Sequence, residues 1–430
     1  MTGVQTCALP IFALAIIDRI FSVEELPWQA HALAFVAVMR AVTLNFYSED
    51  KWHGVDLRLI TVSILIAVLY ALARWVRLPQ AARDAGAPHA YTWAASALTA
   101  WLLWCELQPI AVAPSFAIFG LLLFEFAAWK KQKQMRLQAY VALAAAFGRI
   151  FFVNLTAATL PGEAISPRIY TVAPIALILF YVWFRLQSEK AEPDLGKWSA
   201  SDLIAYFGTG CIAALLYFQT PGDWIVVAWA ILVVALMTAT LLLKKDVFQQ
   251  QSTLLVVGIV ARGLYHNIFD GSYFVDAGWR GNLAVLTLTA AILFATLPIA
   301  FRLRRRYIEQ PPQSFLSRWL GLRRPEQILF FAPVILITFM ISVKMNPGAI
   351  TWAWGIEGLM LVSLGLLVSQ RSYRITGLLL LLLCIAKIVV RDAWQLNQRD
   401  RYITFIALGA ALILVSTLYS KYRETVRKLL

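Results

Sequence analysis

The sequence predicts an all-α, polytopic membrane protein of about fourteen transmembrane helices. Of its 430 residues, 60% are hydrophobic and only 14% are charged, and the mean hydropathy is +0.69. A soluble domain usually has about 25% charged and 45–50% apolar residues. The apolar residues form long continuous runs, which argues against a membrane β-barrel. The composition excludes a soluble enzyme, a disordered chain and a secreted disulfide scaffold.

The first element in chain order is residues 1–11, MTGVQTCALPI. This segment has the character of translated sequencing-adapter sequence, and it lacks the basic and apolar regions of a signal peptide. We therefore expect it to be a non-native artefact. Residues 12–21 are then expected to end a helix whose first half is missing, so that the chain is an N-terminally truncated fragment.

The transmembrane helices follow in order, each from a run of about 17–25 mostly apolar residues. Breakers separate several of them, including Gln108-Pro109, Pro221-Gly222 and Pro347-Gly348. The predicted spans are residues 29–46, 57–77, 91–107, 109–129, 135–155, 168–186, 201–219, 223–243, 250–269, 281–301, 327–345, 349–369, 374–392 and 401–420.

Lys and Arg are concentrated at one side of these predicted spans. The loops after even-numbered spans hold about 25 of them and the opposite side about 8, and cytoplasmic loops carry such an excess. The even side, which includes residues 130–136, 302–307 and the tail 421–428, is therefore predicted to be cytoplasmic. The formal net charge of +14 then reflects topology rather than nucleic-acid binding. The C-terminus is then predicted to be on the cytoplasmic side of the membrane.

Four spans share one pattern of polar residues. A Gln or Thr is followed eleven residues later by Arg or Lys, and five residues further by Asn or Asp. The four sets are Gln29, Arg40 and Asn45; Gln138, Arg149 and Asn154; Gln251, Arg262 and Asn267; and Thr376, Lys387 and Asp392. This regularity predicts tandem four-helix units. They are a partial unit at 12–77 and whole units at 91–186, 201–301 and 327–430, with a basic cytoplasmic loop at 302–326.

Helix geometry places the basic residue of each set in the outer part of the membrane. Eleven positions make three turns plus about 20°, so the first two residues share a face roughly 16 Å apart. Five more positions put the Asn about 140° round, at the outward helix end. An ionisable residue inside a span is costly and is by default a functional candidate.

Two interpretations of these sets stay open. In the first, each set is a polar clasp, by which we mean side-chain hydrogen bonds that hold adjacent helices together. In the second, the sets bind an anionic lipid or glycan. Carboxylates of the outward loops are the expected counter-ions, and Asp392 is expected to neutralise Lys387. These carboxylates are Asp50, Asp56, Glu163, Asp270, Asp276, Asp392 and Asp400.

Glu357 is a separate candidate, because it lies inside the span predicted at 349–369. The equivalent positions of the other units, Phe119 and Leu232, are apolar. A lone carboxyl group in a membrane carries protons or pairs with a cation of an adjacent span. Lys387 and Arg262 are the expected partners.

No motif indicates catalysis or a cofactor. The sequence has no Walker loop, no glycine-rich nucleotide fingerprint and no GxSxG elbow, and its four histidines lack zinc-site spacing. We therefore predict no catalytic residue, no cofactor and no metal, and an enzyme is the less favoured class. The predicted partners are the lipid bilayer and an anionic lipid or glycan, with no nucleic acid.

The C-terminal stretch resembles a known family. Residues 352–374 (WAWGIEGLMLVSLGLLVSQRSYR) and 377–424, which begin GLLLLLLCIAKIVVRDAW, resemble the predicted bacterial membrane proteins called domain of unknown function 2339. Through the repeat the resemblance extends to the rest of the chain. It implies a multi-pass membrane fold but no reaction. The residues that carry it are Trp354, Glu357, Lys387, Asp392, Arg401, Gly409 and Tyr419.

Together these observations predict a non-catalytic cell-envelope protein of the inner membrane. The first alternative is a transporter or flippase of an anionic or lipid-linked substrate, and the second is a membrane-embedded transferase. Helices broken at mid-membrane depth in corresponding units would favour transport. Carboxylates and histidines that converge in one outward cleft would favour the enzyme.

Overall fold

The structure, a computed structural model, confirms the all-α fold class. It describes residues 26–75 except 49, then 87–157, 165–188, 194–195, 198–269, 279–309 and 324–388 except 346, with scattered positions near both ends. The helices are α1 (Leu26–Thr43), α2 (Leu57–Trp75), α3 (Ala87–Glu106), α4 (Pro109–Lys130), α5 (Lys133–Arg149), α6 (Pro167–Ser188), α7 (Ala200–Gln219), α8 (Ile225–Leu243), α9 (Asp246–Arg262), α10 (Trp279–Ala295), α11 (Leu297–Glu309), α12 (Pro325–Lys344), α13 (Pro347–Leu367) and α14 (Arg371–Lys387).

Nine helical segments of the described part are long and apolar enough to cross a membrane. They are Trp28–Tyr47, Pro109–Lys130, Lys133–Asn154, Pro167–Ser188, Ala200–Gln219, Gly222–Leu243, Leu283–Arg306, Pro325–Lys344 and Ala349–Leu367. A shorter apolar stretch, Leu57–Ala73, lies in α2. The chain is therefore a multi-pass membrane protein.

The predicted count of about fourteen spans exceeds these nine for physical reasons. The helix α3 has polar residues such as His89, Thr92 and Ser96 along its length, and α9 opens with polar residues from Asp246 to Ser252. Both helices are therefore less apolar than the other spans. The helix α14 has only 17 residues, and most of the span predicted at 401–420 lies outside the described residues.

Two short β-hairpins interrupt the described helices. Lys51–Trp52 pairs antiparallel with Val55–Asp56, and Asp194–Leu195 pairs with Trp198–Ser199. The first hairpin turns at His53 and Gly54, whose φ angles are 49° and 85°. Two consecutive residues with positive φ are typical of a type I′ turn. This turn places Asp56 directly before α2.

The chain divides into two compact units, Met1–Gln219 and Thr220–Leu430. Within unit 1, the buried core includes Ala34 of α1, Leu65 and Leu69 of α2, and Leu98 of α3. Also within unit 1, α4 packs on α5 and α6 packs on α7. Helices that are consecutive in the chain thus form the main packing pairs of this unit.

Unit 2 is built in the same way, since α8 packs on α9 and α13 packs on α14. Its buried core includes Val233 of α8, Leu293 of α10 and Phe330 of α12. The helices α13 and α14 approach closely at two glycines: a Cβ atom on Gly377 would lie 2.7 Å from the carbonyl oxygen of Gly358. Small residues permit such close helix contacts in membrane proteins.

Candidate functional site

Three helices end at the basic residues that the sequence pattern singles out. Each of α5, α9 and α14 has 17 residues, and their last residues are Arg149, Arg262 and Lys387. In each hairpin, one residue of the turn before this helix has a positive φ angle: 55° at Lys131, 57° at Lys244 and 56° at Ser369. The three hairpins therefore share their local backbone geometry.

After Arg149 and Arg262 the helix widens into a π turn. The N–H of Leu155 donates to the carbonyl oxygen of Ile150 at 2.9 Å, and the N–H of Phe269 donates to that of Leu264 at 3.0 Å. Such turns occur often at functional sites. They correct the predicted angle of about 140° between Arg and Asn, which assumed an α-helix, because each residue of a π turn advances by a smaller angle.

Asn154 connects the end of this π turn to α4. Its side chain is fully buried, and Nδ2 donates to the carbonyl oxygen of Ile110 at 2.7 Å. In a regular helix that oxygen accepts from the N–H four residues later. That residue is Pro114, which has no N–H. Asn154 therefore supplies the donor that the proline removes.

Asn267 makes the matching bond in unit 2. It is fully buried, and its Nδ2 donates to the carbonyl oxygen of Asp223 at 3.2 Å. The donor and acceptor residues are 44 positions apart in both bonds. The residue four positions after Asp223 is Val227, which keeps its N–H. The bond to Asp223 therefore does not replace a donor lost to proline.

The two arginines contact corresponding regions, directly before the first helix of their hairpins, through different groups. The guanidinium carbon of Arg149 lies 3.8 Å from the ring centroid of Trp104, at the end of α3. Arg262 donates from a terminal nitrogen to the carbonyl oxygen of Gly222 at 3.1 Å. Nearby, His266 Nε2 lies 3.7 Å from Asp223 Oδ1. Both arginines thus contact the segment that directly precedes the first helix of their own hairpin, α4 for Arg149 and α8 for Arg262.

The other two predicted sets are placed only in part. Lys387 Nζ donates to Oγ1 of Thr351 at 2.7 Å, which connects α14 to α13. Asp392 lies outside the described residues. Asn45 is buried and opens a short 3-10 turn, Asn45–Tyr47. Arg40 is half-buried at the end of α1.

The predicted counter-ions that the structure describes contact residues outside the four sets. Asp56 lies 3.8 Å from Lys51 and 3.5 Å from Arg58, and Asp50 accepts a hydrogen bond from Ser48. The other predicted counter-ions lie outside the described residues: Glu163, Asp270, Asp276, Asp392 and Asp400.

Two arginines that were not candidates cap helix ends in unit 1. Arg58 lies 2.7 Å from Glu106 and donates to the carbonyl oxygen of Cys105 at 3.4 Å. Arg168 donates to the carbonyl oxygens of Ala157, at 3.0 Å, and Phe218. The last carbonyls of a helix lack internal donors, and cations are favourable there. The sequence offered one signal for Arg58 and Arg168: each is a basic residue near the start of the span that follows a Gln, Arg and Asn set.

Glu357 has a neutral partner. Its Oε1 accepts from Oγ1 of Thr338 at 2.8 Å, and Nε1 of Trp354 donates to the main-chain oxygen of Thr338 at 3.1 Å. Among the described residues, no ion pair joins Glu357 to Lys387 or Arg262, so the expected pairing was wrong. Lys387 is instead directed at Thr351.

Carboxyl, imidazole and thiol groups do not converge in the described part of the chain. No three of them lie close enough together there to hold a metal ion. What the described residues do show is side-chain donors placed at main-chain carbonyl oxygens near helix ends. This arrangement stabilises contacts between apolar helices, because an unsatisfied carbonyl is costly in a membrane.

The helices and these contacts define the chain as a multi-pass integral membrane protein. The family model described as predicted membrane protein, domain of unknown function 2339, matches residues 6–422. The chain belongs to this family, which confirms the resemblance seen in its C-terminal segments. The match begins within residues 1–11, the segment that the sequence analysis set aside. No curated protein and no solved structure matches the chain.

Proposed function

We propose that this chain is a non-catalytic protein of the bacterial inner membrane, built from repeated helical units. In this proposal its Arg/Asn sets are polar clasps at the outward side of the membrane, and its C-terminus is cytoplasmic. The clasps hold the second helix of each hairpin to the start of its first helix and to the residues directly before it. The protein then acts as a rigid element of the cell envelope.

One observation carries the clasp: Asn154 and Asn267 each donate to a main-chain oxygen 44 residues earlier. A buried amide committed to a helix end in two hairpins supports a structural role. Interhelical hydrogen bonds in membranes are worth about 0.6 kcal/mol on average, with values up to about 1.7. We expect the Asn154 hydrogen bond to contribute more than this average, because the carbonyl oxygen of Ile110 has no main-chain donor four residues later.

The hairpins α4–α5, α8–α9 and α13–α14 support the tandem repeat. Their second helices have equal lengths, and the turns before these helices have nearly equal positive φ angles. A residue with positive φ is energetically restricted unless it is glycine, so its recurrence at corresponding sites is informative. The same register then carries the Arg or Lys to the end of each helix.

The alternative function, transport of an anionic or lipid-linked envelope substrate, has one observation in its favour. Nε of Arg149 and Oδ1 of Asn154 are buried and have no hydrogen-bond partner among the described residues. One donor and one acceptor near a helix end could bind an anionic head group that also carries a hydroxyl. A ligand at this position would make the sets binding sites.

Native mass spectrometry separates the two functions. The wild type is compared with a variant in which Arg40, Arg149, Arg262 and Lys387 are all changed to Gln. We expect no bound lipid or glycan that is specific to the wild type, and a lower melting temperature for the variant. A variant of the exposed residues Arg302 and Arg305 to Gln is the control. An anionic ligand that only the wild type and the control retain would support transport instead.

A further inference from the structure

Glu357 is the one charged residue in the candidate span Ala349–Leu367. It lies near the middle of that span, so about 12 Å of helix separates it from Ala349 and about 15 Å from Leu367. Its side chain is half-buried. A carboxyl group at this depth has no bulk water to solvate a charge, and an isolated charge there is costly.

The hydrogen bonds of Glu357 do not compensate an ionised carboxylate. Oε1 accepts from the neutral hydroxyl of Thr338, and the buried Oε2 has no partner among the described residues. An ionised carboxylate has about four acceptor sites. A single neutral donor therefore replaces only a small part of the solvation that the charge loses in the membrane. A proton bound to the carboxyl group removes this cost.

The other two Glu residues inside the described candidate spans differ from Glu357, because each has a cation. Glu125 lies 3.3 Å from Nε of Arg185 and accepts from the hydroxyl of Tyr181 at 3.0 Å. Glu326, fully buried, lies 3.0 Å from Arg304. Glu357 has no basic nitrogen within 4 Å in the described part of the chain.

In the part of the chain that the structure describes, α12 and α14 are the main helices packed on α13, and their charged and titratable groups define the surroundings of Glu357. On α14, Cys384 lies within electrostatic range of both Glu357 and Lys387, and Lys387 donates to Thr351. On α12, Lys344 lies about 9 Å further along the helix than Thr338. The N-terminal ends of α12 and α14 hold the remaining charged and titratable groups: Glu326, Arg371, Tyr373 and Arg374.

We propose that Glu357 is a proton-binding site within the membrane-spanning part of unit 2. The carboxyl group takes up one proton from water to form an O–H bond and returns the same proton when it ionises, while Thr338 donates to Oε1. This site goes beyond the clasps and does not depend on them. It supplies the protein with one group whose charge follows the proton concentration.

Labelling with dicyclohexylcarbodiimide tests the site. This apolar reagent enters membranes and reacts with protonated carboxyl groups. The acid adds across one C=N bond, and rearrangement gives a stable N-acylurea without a leaving group. The purified protein in lipid vesicles is labelled from about pH 6 to about pH 9, a range in which buried Glu residues titrate. Modified residues are then identified by mass spectrometry of peptides.

We expect the adduct on Glu357, with a yield that falls several-fold as the pH rises. Glu125 and Glu326 are internal controls in the same sample, and we expect them to stay unlabelled because each is paired with Arg. Labelling confined to these two residues would overturn the proposal, as would a yield on Glu357 that is independent of pH. Protection of Glu357 when sodium replaces choline would assign the site to sodium instead of the proton.

A second measurement decides the case if the reagent cannot reach the carboxyl group. Glu357→Gln imitates the protonated acid, so its melting temperature should match that of the wild type at low pH. A proton bound in the folded state stabilises it, and this contribution is lost as the pH rises. The wild type should therefore melt progressively below Glu357→Gln in alkaline buffer. A difference that stays constant with pH, with Glu357→Gln the less stable protein, would contradict proton binding.

Discussion

The guanidinium carbon of Arg149 lies 3.8 Å from the centroid of the Trp104 ring, so the last residue of α5 rests on the last turn of α3. Trp104 is half-exposed, which leaves the indole at the surface of the helix bundle. A guanidinium over an indole ring is stabilised by about 0.5–2 kcal/mol, more when it is desolvated. This contact connects two helices through a charge that the bilayer would otherwise disfavour.

Removal of this contact should destabilise the protein. We expect Arg149→Ala to lower the melting temperature in detergent and the yield of folded protein, since about 0.5–2 kcal/mol of cation–π stabilisation is lost. Arg305→Ala, a change at an exposed residue, is the matched control and should leave both unchanged. Equal melting temperatures for the two variants and the wild type would contradict a clasp at Arg149.

Trp104 permits a test from the other side of the same contact. Trp104→Phe keeps an aromatic ring and should retain part of the stability, whereas Trp104→Leu removes the ring and should resemble Arg149→Ala. Combined with Arg149→Ala, Trp104→Leu should add little further loss, because contacting residues are not additive. The comparison uses melting curves of the wild type, the three single variants and the double variant. Fully additive losses would show that the two side chains act independently.

Arg58 and Glu106 should show a measurable coupling energy. The side chains are largely shielded from solvent, at 24% and 16% exposure, and Nε of Arg58 lies 2.7 Å from Oε1 of Glu106. We expect a double-mutant cycle with Arg58→Gln and Glu106→Gln to give a coupling of about 0.5–3 kcal/mol. High salt should leave much of it intact, because shielded pairs are screened less than exposed ones. A coupling near zero would show that this pair contributes no more to stability than an ordinary exposed ion pair.

The proposed orientation has its own test. Alkaline phosphatase, which is active only outside the cytoplasm, is fused after residue 163 or after residue 312. The concentration of Lys and Arg at the even side predicts activity for the fusion after residue 163 and none for that after residue 312. Activity in the reverse order would refute the orientation.

The sequence predicted the helical class and the positions of most helices, and it singled out Arg149, Asn154, Arg262 and Asn267 as members of a repeated pattern. It did not predict what these side chains contact. Asn154 bonds to a main-chain oxygen. Every residue has such an oxygen, so the spacing of residues does not indicate which one is the acceptor. The π turns were also missed, because a repeat of polar residues has the same spacing in either helix type.

Glu357 shows a similar limit in the sequence analysis. Its depth in a span was predicted from its apolar neighbours alone. The choice between a cation and Thr338 as its partner depended on how α12 and α13 are rotated, which hydrophobic runs do not specify. The long apolar runs here cover most of each helix surface, so periodicity gives little information about the buried face.

The measurement that tests the clasp most directly is a double-mutant cycle of Asn154 and Pro114, followed by thermal unfolding in detergent. Asn154→Ala alone removes the only side-chain donor described for the carbonyl oxygen of Ile110 and should cost about 1–2 kcal/mol. Pro114→Ala restores a main-chain N–H to that oxygen, so Asn154→Ala should cost clearly less in the Pro114→Ala background. If Asn154→Ala costs the same in both backgrounds, Asn154 does not hold α4 through this bond, and the clasp account is contradicted.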